Sequence, residues 1–184
     1  MQRRRGLTRT LFVLLVVMLA RTWRTAAEVA VKGPTGFVVQ QRVDVPVSPQ
    51  RAYDAFTRIG DWWSGAHSFS GDAKNITLDV RPGGCWCEAL PQGGFVKHME
   101  LVHAAPGTRL VFSGGLGPLQ SMGVAGAMTI TFAPGASANS TRVTLRYDVG
   151  GRDDKGFADI AGPVDAVLAE QMTRYRAYAG RATP

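Results

Sequence analysis

From Phe37 the chain alternates: Val39, Val43, Val45 and Val47 are apolar, with Gln40, Arg42 and Asp44 between them, as in a strand with one buried face. A helix is expected at once. Ser48 can cap it, Pro49 suits its first position because a missing N–H costs nothing there, and Ala52, Tyr53, Phe56 and Ile59 follow at helical spacing. Gly60 and the GDWWSG segment then suggest a break and a second short turn. Strand-like runs come next: NITLDVR, CWCEAL, FVKHMELVH, RLVFSG, GAMTITFA and TRVTLRYDV. The separators PGG, PQGG, APGT, GGLGPL and PGASANS each carry Gly or Pro where the backbone must reverse, which favours an antiparallel meander. The last pattern, roughly 156–178, sets Phe157, Ile160, Ala161, Val164, Val167, Leu168, Met172 and Tyr175 along one face of a long amphipathic helix.

The chain carries a net charge of +7, which invites a nucleic-acid or membrane reading, but the charge is not spread evenly. Six arginines and no acid lie in residues 1–27, leaving 15 basic against 14 acidic residues beyond. No nucleic-acid partner is therefore expected. Residues 1–27 have the form of a secretory signal peptide: a basic start, the apolar run LFVLLVVMLA at 11–20, and small residues suited to cleavage before Glu28. That run falls short of the roughly 20 residues that span a bilayer, so no stable membrane insertion is expected after cleavage. The expected place is exported, periplasmic or secreted, with an N-terminal membrane anchor as the alternative. Residues 28–36 read as a flexible lead-in because Gly33, Pro34 and Gly36 interrupt any regular pattern, and 37–180 as one domain.

An antiparallel sheet that must bury its apolar face against a long terminal helix resembles the SRPBCC, or START-like helix-grip, superfamily, including its polyketide cyclase/dehydrase-like and chaperone-ATPase-activator-like domains. VDVPVSPQRAYDAFT, the IGDWW tryptophan pair, VRPGGCWCE, VHAAPGTRLVFSG and the closing helix carry the resemblance, and the chain looks most like exported bacterial members. It implies an α+β fold: a seven-stranded antiparallel sheet wrapped around a long C-terminal helix, with two short helices after the first strand. Such folds host carriers, cyclases and chaperone cofactors alike, so activity does not follow from the fold.

The chemistry concentrates in GGCWCEALPQGGFVKHME. If Pro91–Gly94 closes a hairpin with Leu90 facing Phe95, paired residue numbers add to 185. Cys85, Cys87, His98 and Glu100 then share one face, and Glu88 meets Lys97 as an exposed ion pair on the other. Three readings of that cluster stand side by side. The cysteines and histidine are packing on the inner surface; or Cys85 and Cys87 form a disulfide, which on a regular strand requires a bulge or strain, with Gly83 and Gly84 leaving room; or Cys85, Cys87, His98 and Glu100 offer zinc ligands, although C-x-C is not the usual spacing. No cofactor is demanded.

A sheet curved around a helix leaves a volume for a small hydrophobic or amphipathic ligand. Met128, Ile130, Phe132, Val164, Leu168 and Met172 are the expected apolar wall, with Cys85, Cys87 and His98 as further lining residues and Cys87, His98 and Glu100 as its polar spots. Of Trp62 and Trp63 on a short helical segment, one is expected in the core and the other, Trp63, at the pocket mouth; His67 and Phe69 follow in a loop that the resemblance places near the entrance, and Leu116, Leu119 and Met122 between glycines suit a pocket lip. The expected function is binding or carrying such a molecule. A cyclase/dehydrase-type enzyme (a lyase or isomerase), with His98 and Glu100 moving protons, is the rival reading. A protein-interaction module of the chaperone-activator kind fits an exported chain poorly, and no protein partner is evident.

Overall fold

A computed structural model describes residues 26–153 and 156–181. Eight antiparallel strands form one sheet in the order β1-β2-β8-β7-β6-β5-β4-β3, and a long helix lies across it. The strands are β1 (Ala26–Gly33), β2 (Gly36–Val45), β3 (Ile76–Leu78), β4 (Cys85–Ala89), β5 (Phe95–Ala105), β6 (Arg109–Ser113), β7 (Gly123–Pro134) and β8 (Thr141–Arg152). The helices are α1 (Pro49–Thr57) and α2 (Ala158–Arg181).

Two expectations change here. The segment read as a flexible lead-in is strand β1: Gly33, Pro34, Thr35 and Gly36 form a hairpin turn rather than a linker, with Gly33 paired to Gly36. The sheet therefore has eight strands rather than seven. After β2 there is one true helix, α1, capped by the Ser48 side chain on the Arg51 N–H, followed by 3₁₀ turns at Ile59–Asp61, Gly65–His67 and Ala73–Asn75 in place of a second helix. The leader expected over 1–27 falls almost wholly outside the described residues.

The core lies between the sheet and both helices. Val39, Val43, Leu110, Phe112, Met128, Ile130, Leu145 and Tyr147 face inward from the strands, while Ala161, Leu168, Met172, Tyr175 and Ala179 repeat at helical spacing along α2. Towards the C-terminal half of α2 this interior is filled by aromatic contacts: Phe56 packs on Tyr175 (5.3 Å), Trp62 (5.1 Å) and Phe132 (5.9 Å). Towards the N-terminal half the described residues leave a cavity, with the Phe37–Phe157 pair (5.9 Å) packed at that end.

Candidate functional site

The cavity, about 510 Å³, is bounded by Trp86, His98 and Tyr147 on the sheet side and by Ile160, Val164, Val167 and Leu168 on α2. One rim is the segment after α1, with Trp63, His67 and Phe69; the other is the β6–β7 connection, with Leu116, Leu119 and Met122. The lining is overwhelmingly apolar.

Both rims are held by specific bonds. Arg174 donates from Nε to the Trp62 carbonyl (2.9 Å), and the Ser64 N–H donates to Oε1 of the buried Gln171 (2.8 Å). Trp63 donates from Nε1 to the His67 carbonyl (2.8 Å), and the His67 ring meets Glu170 at 3.0 Å. The bond from His67 holds the Glu170 carboxyl below the usual range. The other rim is fixed by the Tyr147 hydroxyl, which donates to the Gly114 carbonyl (3.0 Å) and accepts from the Leu116 N–H (2.9 Å). Burial pushes the Tyr147 phenol up to about 12, so it stays protonated and acts as an anchor.

His98, in the wall, belongs to a buried pair whose acid, Glu88, lies behind it. The His98 ring Nε2 lies 2.9 Å from Glu88 Oε2, and both side chains are sealed from water. Glu88 also accepts from the Phe69 N–H (3.1 Å) and from the Ser70 N–H. Burial pulls its carboxyl upward, but these bonds outweigh burial and hold it below its ordinary value, so it is ionised near neutrality. An ionised carboxylate only accepts, so Nε2–H of His98 donates. The other ring nitrogen, Nδ1, is buried without a partner, as is the Trp86 indole N–H.

This geometry corrects the register expected for the hairpin. The turn absorbs one residue more than a four-residue loop: Leu90 closes it through its N–H to the Gly94 carbonyl, and Ala89 rather than Leu90 faces Phe95. Glu88 therefore opposes Val96 and Cys87 opposes Lys97, until a bulge at His98 restores the expected pairing for Trp86–Met99 and Cys85–Glu100. Alternation along β4 turns Trp86 and Glu88 inward and Cys85 and Cys87 to the opposite face. Lys97 bonds Glu100 at 2.6 Å on that outer face instead of Glu88.

Of the expected site residues, Trp63, His67, His98, Val164 and Leu168 line the cavity, as do the lip residues Leu116, Leu119 and Met122. Cys85, Cys87 and Glu100 do not, because they lie on the outer face. Cys85 and Cys87 are joined in a disulfide, with Cα atoms 5.4 Å apart. That removes both thiolates from any metal set with His98, which faces the other way, and among the described residues no group of three or more His, Cys, Asp or Glu could hold an ion. Met128, Ile130, Phe132 and Met172 are core rather than wall: Tyr53 and Phe56 of α1 cover Phe132, and the other three are at most 1% exposed. Sequence reasoning missed Glu88, Trp86 and Tyr147 as site residues. Period-2 alternation from Trp86 inward would have pointed to Glu88 had the turn length been known.

The molecule is thus an α+β domain in which a large antiparallel sheet and a C-terminal helix bound an apolar cavity, with His98 in its wall bonded to the buried Glu88 behind it. No family model and no curated protein matches the chain. Solved structures of the same fold do: an uncharacterized protein from Rhizobium leguminosarum is 17% identical, with a TM-score of 0.57, covering 86% of this chain and 99% of that one. The di-domain ARO/CYC proteins BexL, of the BE-7585A biosynthetic pathway, and StfQ, of the steffimycin pathway, are 15% and 12% identical, each with a TM-score of 0.54. These matches cover 83% and 80% of this chain, which spans about half the length of either protein. At such identities the likeness is one of fold.

Proposed function

We propose that this domain binds a small apolar or amphipathic molecule between the sheet and α2 and holds it away from water. The observation that carries the reading is the cavity itself. At about 510 Å³ it falls in the size range of small-molecule sites, and its few polar groups sit in an otherwise apolar wall. The ends of the cavity are pinned by bonds to α2 and to Tyr147, which supports a largely preformed site. A native mass spectrum of protein purified from its own host tests this. The expected result is extra mass lost on denaturation; an unadorned mass, together with no binding of the amphipathic dye 1-anilinonaphthalene-8-sulfonate, overturns it.

A second reading, an enzyme of the cyclase or dehydrase kind, is favoured by the Glu88–His98 pair at 2.9 Å, in which Glu88 takes the place first given to Glu100. A carboxylate that orients an imidazole beside an apolar substrate is a means of moving a proton. His98→Ala separates the two readings. A carrier retains its ligand within a few-fold, whereas an enzyme retains the ligand and loses turnover by about 10²–10⁴-fold.

A further inference from the structure

The outer face of the β4–β5 hairpin carries two ties directly behind the buried pair. On β4 the disulfide joins Cys85 to Cys87; on β5 their Cα partners Glu100 and Lys97 are joined by an ion pair at 2.6 Å. The two strands do not match between these ties. Residues two apart on a regular strand lie about 6.6 Å apart, whereas Cys85 and Cys87 are 5.4 Å apart, so β4 is drawn in. The facing stretch of β5 holds one residue more than β4 does, and that residue is His98. A shortened stretch opposite a regular one favours a bulge on the regular strand, where two residues oppose one. Here the bulge turns His98 inward beside Met99, where it meets Glu88.

We propose that Cys85–Cys87 is a reversible thiol–disulfide exchange site, and that its oxidised form holds the bulge that keeps His98 in the cavity wall. In the exchange, a small dithiol attacks the S–S bond. Two electrons and two protons pass to Cys85 and Cys87, which become thiols, and the reductant closes its own disulfide. Both cysteines are half-buried on the outer face, within reach of such a reagent. A bridge closing so short a loop removes little entropy from the unfolded chain, so its effect is local rather than that of a staple for the whole fold. Once reduced, β4 extends towards regular spacing, His98 joins the ladder opposite Cys87, and the turn shortens as Leu90 leaves it to face Phe95. Period-2 alternation then carries His98 to the outer face and brings Lys97 inward beside Glu88. The opposite charges of Glu88 and Lys97 favour that second register. Oxidation state thus selects which basic group, His98 or Lys97, stands beside Glu88, and so whether His98 lines the cavity. That this controls ligand binding rests on the cavity being the ligand site, as proposed above.

The experiment compares oxidised protein, protein reduced with dithiothreitol and the Cys85→Ser/Cys87→Ser variant, with free thiols confirmed by a mass gain of two hydrogens on reduction. Two readouts are taken: the ¹⁵N-labelled His98 imidazole by NMR, and the affinity for 1-anilinonaphthalene-8-sulfonate. Reduction is expected to speed exchange of the His98 Nε2 proton by at least about tenfold, the loss of one buried hydrogen bond, and to weaken dye binding by a similar factor. The double variant should match the reduced protein, and reoxidation should restore the first state. His98 signals that do not change while both thiols are free overturn the proposal, and so does global unfolding on reduction, which would make the bridge a staple of the fold. Dye that binds in neither state while the His98 signals respond leaves the exchange site standing and counts against the cavity as the ligand site.

Discussion

Glu88 shows how one side chain can be both costly and useful. Its carboxylate is stripped of water, and the donors that replace water come from three places: the backbone of Phe69, Ser70, and the ring of His98. It therefore ties the entrance segment to the sheet, and its carboxyl is held below its ordinary value by these bonds, against the upward pull of burial. A carboxyl whose pKa is lower in the folded than in the unfolded chain adds stability that is present above the unfolded value, near 4.5, and is lost as pH falls through the folded value. Urea midpoints should therefore hold steady from pH 7 to about 5 and then decline. In Glu88→Gln the amide offers no charge to titrate and one donor too many, so about 1–3 kcal/mol should be lost at pH 7 and the acid decline should be shallower. A variant that melts with the same acid slope as the parent would show that Glu88 contributes nothing to it. None of this was legible in the sequence. Glu88 and Lys97 look like an exposed cross-strand pair there, and only the length of the turn, set by Gln92 and Gly93 both taking positive φ, decides otherwise.

At the scale of elements, the strands and α2 were readable because burial imposes periods of 2 and 3.6 on them. The lip at 114–122 was readable as well, from apolar residues set between glycines. What anchors the lip was not, since the contact joins Tyr147 of β8 to Gly114 and Leu116, some thirty residues away along the chain. The anchor depends on Gly126 of β7: a Cβ there would stand 2.5 Å from Tyr147 Cε2 and 2.8 Å from both its hydroxyl and the Gly114 carbonyl. Gly126→Ala must therefore push the ring aside and break the anchor. The expected cost is about 1–3 kcal/mol by thermal melting, with faster amide exchange at Leu116. Tyr147→Phe removes the hydroxyl without the clash and should cost about 1 kcal/mol with the same loosening at Leu116. Unchanged exchange at Leu116 in both variants would mean that the lip is held by packing alone.

Across the whole molecule, the two ends of the interior do different things. Aromatic side chains from α1 and the segment after it fill one end, which is why Met128, Ile130, Phe132 and Met172 became core, and the other end is left open under the first turns of α2. β1 completes the sheet beyond β2 and packs against α2, so the start of the folded part bears on any account of export. We propose that residues 1–27 direct export and are removed before Glu28. Cleavage there would take only Ala26 and Ala27 from β1 and keep its pairing with β2 from Glu28–Gln40 onward. That leaves the edge strand in place and the apolar edge of β2 covered. It also delivers Cys85 and Cys87 to a compartment in which a disulfide persists. Fusing residues 1–27 to a reporter should carry it out of the cytoplasm, and the intact mass of the mature protein should start at Glu28. A reporter retained inside the cell would end the export reading. A mature chain starting beyond Gly33 would mean that β1 is dispensable, and the sheet would then have to be stable with β2 at its edge.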